Sequence, residues 1–175
     1  MFVLWAIAGI ASKRTIRVES DNASRVVVLI IAFSWFLLFT RGFRRGPLAW
    51  RIVPDAPLVV NIGVVLTVVG LALAVWARLY IGRNWDAFVA LKDDHEFIRT
   101  GPYAIVRHPI YAGFMCAALG TALVGGTLHA FIAVTLIVLA WGYKARLEEH
   151  FMKKQFGAQY EQYCRDVKGL LPFVW

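Results

Sequence analysis

A 175-residue chain with 59% of its residues in the hydrophobic set and only 17% charged is too apolar for a water-soluble domain of its size. Soluble domains carry about 25% charge, and a small one has too little interior to hide so much apolar side chain. The net charge of +8, from 19 Lys and Arg against 11 Asp and Glu, would suggest nucleic acid on a soluble domain. Here the basic residues lie between apolar runs, where anionic headgroups and membrane topology account for them and nucleic acid does not.

The first apolar run, Phe2 to Ala11, follows Met1 directly, without the basic stretch of a signal peptide. It is short against the roughly 17–25 residues of a transmembrane helix, so it crosses only with help from Ser12 and Lys13, or lies at the interface. A basic link from Lys13 to Arg25 precedes Val26 to Phe39, which contains no charge and can span a thin bilayer if its flanking arginines snorkel. A second basic link runs from Arg41 to Asp55. Ala56 to Ala77 is the strongest span, uncharged throughout, with Pro57 suited to its first turn. Gly63 and Gly70, seven apart, share a face that another helix can approach closely. Asn61 reads as a hydrogen-bonded residue packed between helices.

Arg78 to Thr100 mixes acids, bases and aromatics and reads as a short interfacial helix or hairpin, ended by Gly101-Pro102. Gly101 to Gly113 concentrates Tyr103, Arg107, His108 and Tyr111 between two prolines, so it is not one uninterrupted helix. Ile110 to Leu123 and Leu128 to Trp141 are apolar runs joined by Val124-Gly125-Gly126-Thr127, a turn short enough to make them antiparallel neighbours. The Arg107-His108 end and the Lys144 to Glu149 end therefore share one side of the membrane. Lys144 to Tyr163 reads as an amphipathic helix with a break near Gly157, and Gly169 to Trp175 as a return to the membrane surface. Arg78, Lys144, Lys153 and Lys154 read as snorkelling anchors.

The expected architecture is all-α and polytopic: about five transmembrane helices, the first one short, with a pocket at the cytoplasmic face and a C-terminal amphipathic helix. It reads as one membrane domain over 1–175, with membrane helices in 1–77 and the chemistry in 78–175. Eleven Lys and Arg from Arg78 onward, against none in the Gly125-Gly126 turn, put the Arg107 side in the cytoplasm. The basic Arg41 to Arg51 link would then lie outside, which counts against a strict five-span arrangement.

Other chemistries lack their residues. No zinc-ligand spacing, HExxH, GxGxxG or Walker loop occurs, and no nucleophile with a matched base is evident. Gly101-Pro-Tyr-x3-Arg107-His108-Pro109-x-Tyr111-x-Gly113, then Arg146-x-Glu148-Glu149-x6-Phe156-Gly157-x2-Tyr160-x2-Tyr163, resembles the isoprenylcysteine carboxyl methyltransferase family. Ile81-Gly82-Arg83-Asn84-Trp85 and Leu171-Pro172-Phe173 are similar as well, so the likeness covers roughly Leu79 to Trp175.

The resemblance implies an integral membrane methyltransferase using S-adenosylmethionine and no metal, in a prokaryotic inner membrane or another cytoplasm-facing membrane. By position it implies that Gly101, Tyr103, His108, Pro109, Tyr111 and Glu148 hold the cofactor, and that Arg107, Arg146 and Glu149 act in catalysis. Arg83, Trp85 and Tyr160 would meet the acceptor, a prenylcysteine-like or other lipophilic carboxylate delivered from the membrane lipids. Phospholipid N-methylation is the alternative; an NADPH-dependent reductase and a non-enzymatic scaffold stand behind it.

Overall fold

The computed structural model describes residues 15–18, 22–40, 46–82, 90–92 and 98–170. Their architecture is dominated by helices: α1 (Asn22–Phe39), α2 (Pro57–Ile81), α3 (Pro109–Gly125), α4 (Leu128–Phe156) and α5 (Ala158–Asp166). Short 3-10 helices occupy Pro47–Ala49 and Gly101–Ala104. The first apolar run lies outside the described residues, so four apolar helices stand where about five were expected. Two of them, α2 and α4, are long and apolar enough to cross a membrane, while α1 and α3 are shorter.

The helices form an antiparallel bundle, and small residues set its tightest seam. A Cβ on Gly63 would lie 2.7 Å from Gly120 O, and one on Gly70 would lie 2.4 Å from Gly113 O. Only hydrogen at these positions lets the α2 and α3 backbones touch. The Gly63 and Gly70 expectation is thus met, with Gly120 and Gly113 as their partners. Helix α1 runs antiparallel to α4: Leu37 and Leu38 pack near Ala130 and Ala133, and Val27 near Ala140 and Trp141. The outward faces stay apolar; Leu58 is 71% exposed, Val68 60% and Phe36 67%. Lipid accounts for such a surface, since water would penalise it.

The turn between α3 and α4 falls where expected, with Gly126 at φ 65°, a left-handed conformation open to glycine at little cost. Arg51 pairs with Thr127 as an isolated β-bridge, and Ile52 N donates to Gly126 O at 2.8 Å. Arg51 and Ile52, at the close of the second link, therefore sit at the end of the bundle opposite Arg107; residues 41–45 of that link lie outside the described residues.

Several expectations are corrected. Asn61 is exposed on α2, not packed between helices. The link from 78 to 100 supplies a strand, β2 (Ala90–Lys92), which pairs antiparallel with β1 (Thr15–Val18) from the first link. The bundle brings these distant links to one end, a pairing that neither shows in its own composition. Lys144 to Phe156 is not a separate amphipathic helix but the continuation of α4, whose 29 residues end at Gly157. At 1.5 Å per residue α4 is about 44 Å long, so against a core of about 30 Å its charged final turns stand clear of the hydrocarbon. Of the segment expected to return to the membrane surface, residues 171–175 lie outside the described residues, and its start is tied down by backbone hydrogen bonds. Arg107 N donates to Lys168 O at 2.8 Å and His108 N to Gly169 O at 3.0 Å, a short strap against the start of α3.

Candidate active site

The segment before α3 is irregular for local reasons. Gly101 has φ 59°, and a Cβ there would meet the Tyr80 ring at 2.6 Å, so glycine is required both for conformation and for space. Pro109 takes the first position of α3, where its missing N–H costs nothing. His108 caps the helix without helical geometry, at φ −122° and ψ 62°. Its side chain is thereby directed across to the end of α4.

A buried charge network results. Arg107 Nε and Nη2 donate to Glu149 Oε1 at 2.8 and 2.6 Å, while Nη1 donates to Cys164 O at 3.2 Å and to Val167 O. His108 Nε2 lies 3.1 Å from Glu149 Oε1, and Nδ1 lies 3.5 Å from Glu148 Oε2. Glu148 Oε1 accepts from the Tyr111 hydroxyl and, at 3.1 Å, from Lys144 Nζ. The His108 and Tyr111 rings stack at 5.5 Å, and Tyr163 Oη donates to Tyr103 O at 2.5 Å. Arginine at position 107 thus ties the start of α3 to α4 and to the chain beyond α5, with most of its donors committed.

The titration preferences follow from this geometry. Burial by itself would keep His108 neutral, but the adjacent Glu148 and Glu149 carboxylates outweigh it and raise its pKa. Burial would likewise protonate Glu148; Lys144, His108 and Tyr111 instead hold its pKa down at about 2. Glu149 is also held below the ordinary carboxylate range, against burial, by His108 and Arg107. Tyr103, Tyr160 and Tyr163 are all pushed up, by burial first. Pairing, not burial, thus sets the direction at His108, Glu148 and Glu149 alike.

Of the expected site residues, Tyr103, Arg107, His108, Pro109, Tyr111, Glu148 and Glu149 come together, and Gly101 shapes the turn leading to them. Arg146 is exposed on the polar end of α4. Tyr160 is only 4% exposed, with its ring 5.8 Å from that of Tyr163. Arg83 and Trp85 lie outside the described residues. Two supposed anchors are corrected: Arg78 is 6% exposed and donates to Gly82 O at 2.8 Å, and Lys144 belongs to the network. The i,i+4 spacing of Lys144 and Glu148 was a visible signal of that pair. Trp141, whose ring meets Tyr111 edge-on at 4.5 Å, carried no signal beyond its apolar surroundings.

An apolar helical bundle with an ionised network at one end defines a membrane protein with a polar site at the bilayer edge. The sequence matches the phospholipid methyltransferase family over residues 58–159, more than half of the chain, and the protein belongs to that family. It is 27% identical over 172 residues to a probable protein-S-isoprenylcysteine O-methyltransferase of Oryza sativa subsp. indica, covering 95% of this chain and 86% of that protein. It is 30% identical over 119 residues to protein-S-isoprenylcysteine O-methyltransferase B of Arabidopsis thaliana, covering 65% of this chain but 59% of the relative. Among solved structures it resembles the eukaryotic intramembrane Ras methyltransferase, isoprenylcysteine carboxyl methyltransferase, with TM-score 0.59 and 26% identity. That likeness covers 88% of this chain and 55% of the other, so the chain spans little more than half of the solved protein. The resemblance expected from the Arg107-His108-Pro109 and Glu148-Glu149 patterns is borne out, and the protein is a methyltransferase.

Proposed function

We propose that the protein transfers a methyl group from S-adenosylmethionine to the carboxylate of a prenylcysteine or a similar lipophilic acid, at the cytoplasmic face of its membrane. The observation that carries the choice of acceptor is that the candidate bases are already engaged with one another: His108 Nε2 lies 3.1 Å from Glu149 Oε1 and Nδ1 lies 3.5 Å from Glu148 Oε2, and both carboxylates are held below the ordinary carboxyl range. An amine acceptor must first lose a proton to a base, and groups paired in this way are poorly placed to take it. A carboxylate arrives already ionised and needs none.

The donor set suits the cofactor. Glu149 Oε1 receives Arg107 and His108, whereas Oε2 has no hydrogen-bond partner among the described residues. That oxygen is a ready acceptor for a cationic amino group. S-adenosylmethionine supplies a methyl on a sulfonium, which an ionised oxygen displaces directly, so the protein's part is alignment. In this reading His108 orients the two carboxylates. Gly101, Tyr103, Pro109 and Tyr111 wall the cofactor, with Glu148 fixed behind them by Lys144. Arg107 is a positioning residue that holds α4 and the chain after α5 in place. Arg146, exposed at the same end, is suited to draw the acceptor's carboxylate toward the site, and Arg83 and Trp85 are the further residues proposed to contact the acceptor. Tyr160, buried against Tyr163, would line the acceptor side from within the protein. Prenylated acceptors would reach the site from the surrounding lipid, which the apolar exteriors of α1 and α2 contact.

The test is binding of S-adenosylmethionine and NADPH to the purified protein, followed by methyl transfer to a prenylcysteine and to phosphatidylethanolamine. We expect binding of S-adenosylmethionine alone and base-labile methyl ester on the prenylcysteine. Methyl recovered only in the amine lipid would replace this reading with the phospholipid one, and NADPH binding alone would end both.

A further inference from the structure

On the bilayer side of the charge network, one buried polar group has no role in anything described above. Trp141 is 8% exposed, and its Nε1 is buried with no hydrogen-bond partner among the described residues. Its surroundings are apolar or aromatic: Tyr111 at 4.5 Å and Phe114 at 5.3 Å meet its ring edge-on, and Val27 of α1 packs beside it. An indole N–H is a donor only, and a donor buried without an acceptor opposes folding. Phenylalanine would fill most of the same space without that penalty. The group therefore needs an explanation outside the packing of the bundle.

Its position supplies one. Trp141 precedes Glu148 by seven residues, two turns on the same face of α4, which puts it about 10 Å deeper along the helix. Tyr111 joins the two levels, its ring on Trp141 and its hydroxyl on Glu148. An acceptor held by its lipid tail and reaching toward the network from the bilayer would bring its polar end past this level. We infer that Trp141 is a specificity residue for the methyl acceptor, its Nε1–H donating to a carboxylate oxygen of a lipophilic acid that enters from the bilayer. This rests on the carboxylate reading above. The contact would leave the other carboxylate oxygen to form the new bond with the methyl carbon, as the sulfur–methyl bond breaks and its electron pair returns to sulfur.

The experiment pairs one substitution with two ligands. Trp141→Phe and the wild type are compared for KM toward N-acetyl-S-prenylcysteine and for Ki of the matching N-acetyl-S-prenylcysteamine, which lacks the carboxylate. Binding of S-adenosylmethionine is measured alongside. We expect KM for the acid to rise about tenfold, as for loss of one hydrogen bond to a charged oxygen. The cysteamine Ki and the S-adenosylmethionine affinity should stay within about twofold. Equal weakening toward both ligands would assign Trp141 to packing, and an unchanged KM or a selective loss of cofactor affinity would equally overturn the inference. Should Trp141→Phe fail to fold, judged by thermal unfolding in detergent, Trp141→Leu takes its place in the same comparison. A wild type that binds S-adenosylmethionine but methylates no prenylcysteine would overturn the underlying reading and this inference together. An active wild type with an indifferent Trp141→Phe would overturn the inference alone.

Discussion

Replacing Arg107 with lysine separates a clamp from a catalytic group. The guanidinium makes four hydrogen bonds, two to Glu149 Oε1 and one each to Cys164 O and Val167 O, with the side chain 10% exposed. A lysine ammonium keeps the charge beside Glu149 but cannot reproduce a planar fork that reaches a carboxylate and two carbonyls at once. Removing one partner of a buried pair costs about 3–5 kcal/mol, and the retained charge recovers part of it, leaving about 2–4 kcal/mol. For a chain of this length that is a fall in Tm on the order of 4–16 °C. The loss should be local as well as global, because the carbonyls of 164 and 167 and the strap at 168–169 hang on the same segment. Thermal unfolding in detergent and timed proteolysis of the C-terminal segment are the assays. We expect Arg107→Lys to melt earlier, to be cut faster after α5, and to bind S-adenosylmethionine more weakly in proportion. Activity lost with Tm and cleavage unchanged would refute the clamp and return Arg107 to the reacting groups.

Three further outcomes follow from the same geometry. Gly70→Leu drives a side chain into the Gly113 carbonyl and the Ala117 amide, backbone atoms that cannot rotate away; the helices must part, costing about 3 kcal/mol or more in thermal unfolding, whereas Val68→Leu on the lipid face should change little. Network stability should be bounded on both sides in pH. The Glu149 contribution is complete above the ordinary carboxyl value of 4.5 and is lost as pH falls through its lowered pKa. The His108 contribution is complete below 6.5 and is lost as pH rises through its raised pKa, so unfolding monitored against pH should show its plateau between those values. Lys144→Met removes the strongest influence opposing burial at Glu148, so the acid limb of S-adenosylmethionine binding should move up from about 2 toward ordinary carboxyl values; an unmoved limb would dissociate Glu148 from binding.

The family was legible because its signature residues are chemically specific. Proline, histidine and paired acids in a fixed order are improbable in an apolar chain, and the Gly125-Gly126 turn made their convergence a matter of geometry. What Arg107 does was not legible. Its spacing is compatible with a reacting group and with a clamp, and it is the carbonyls of Cys164, in α5, and of Val167, just after it, that favour the clamp. Arg78 and Lys144 looked like interfacial anchors for a similar reason: a base at the end of an apolar run reads the same whether its head meets water or a buried acceptor.

Sequence alone determined the membrane class, the antiparallel hairpin of α3 and α4, the helix break at Gly157 and the side on which the polar residues gather. These depend on composition and short-range spacing, which the chain carries locally. Tertiary structure decided the Gly63–Gly120 and Gly70–Gly113 contacts, the pairing of β1 with β2, and the strap of Lys168 and Gly169 on Arg107 and His108. It also decided that Arg107 and His108 meet at Glu149 Oε1 and that, among the described residues, Trp141 Nε1 has no hydrogen-bond acceptor. Each of these joins residues far apart in sequence, where the partner is chosen by how helices seat against one another and local pattern is silent.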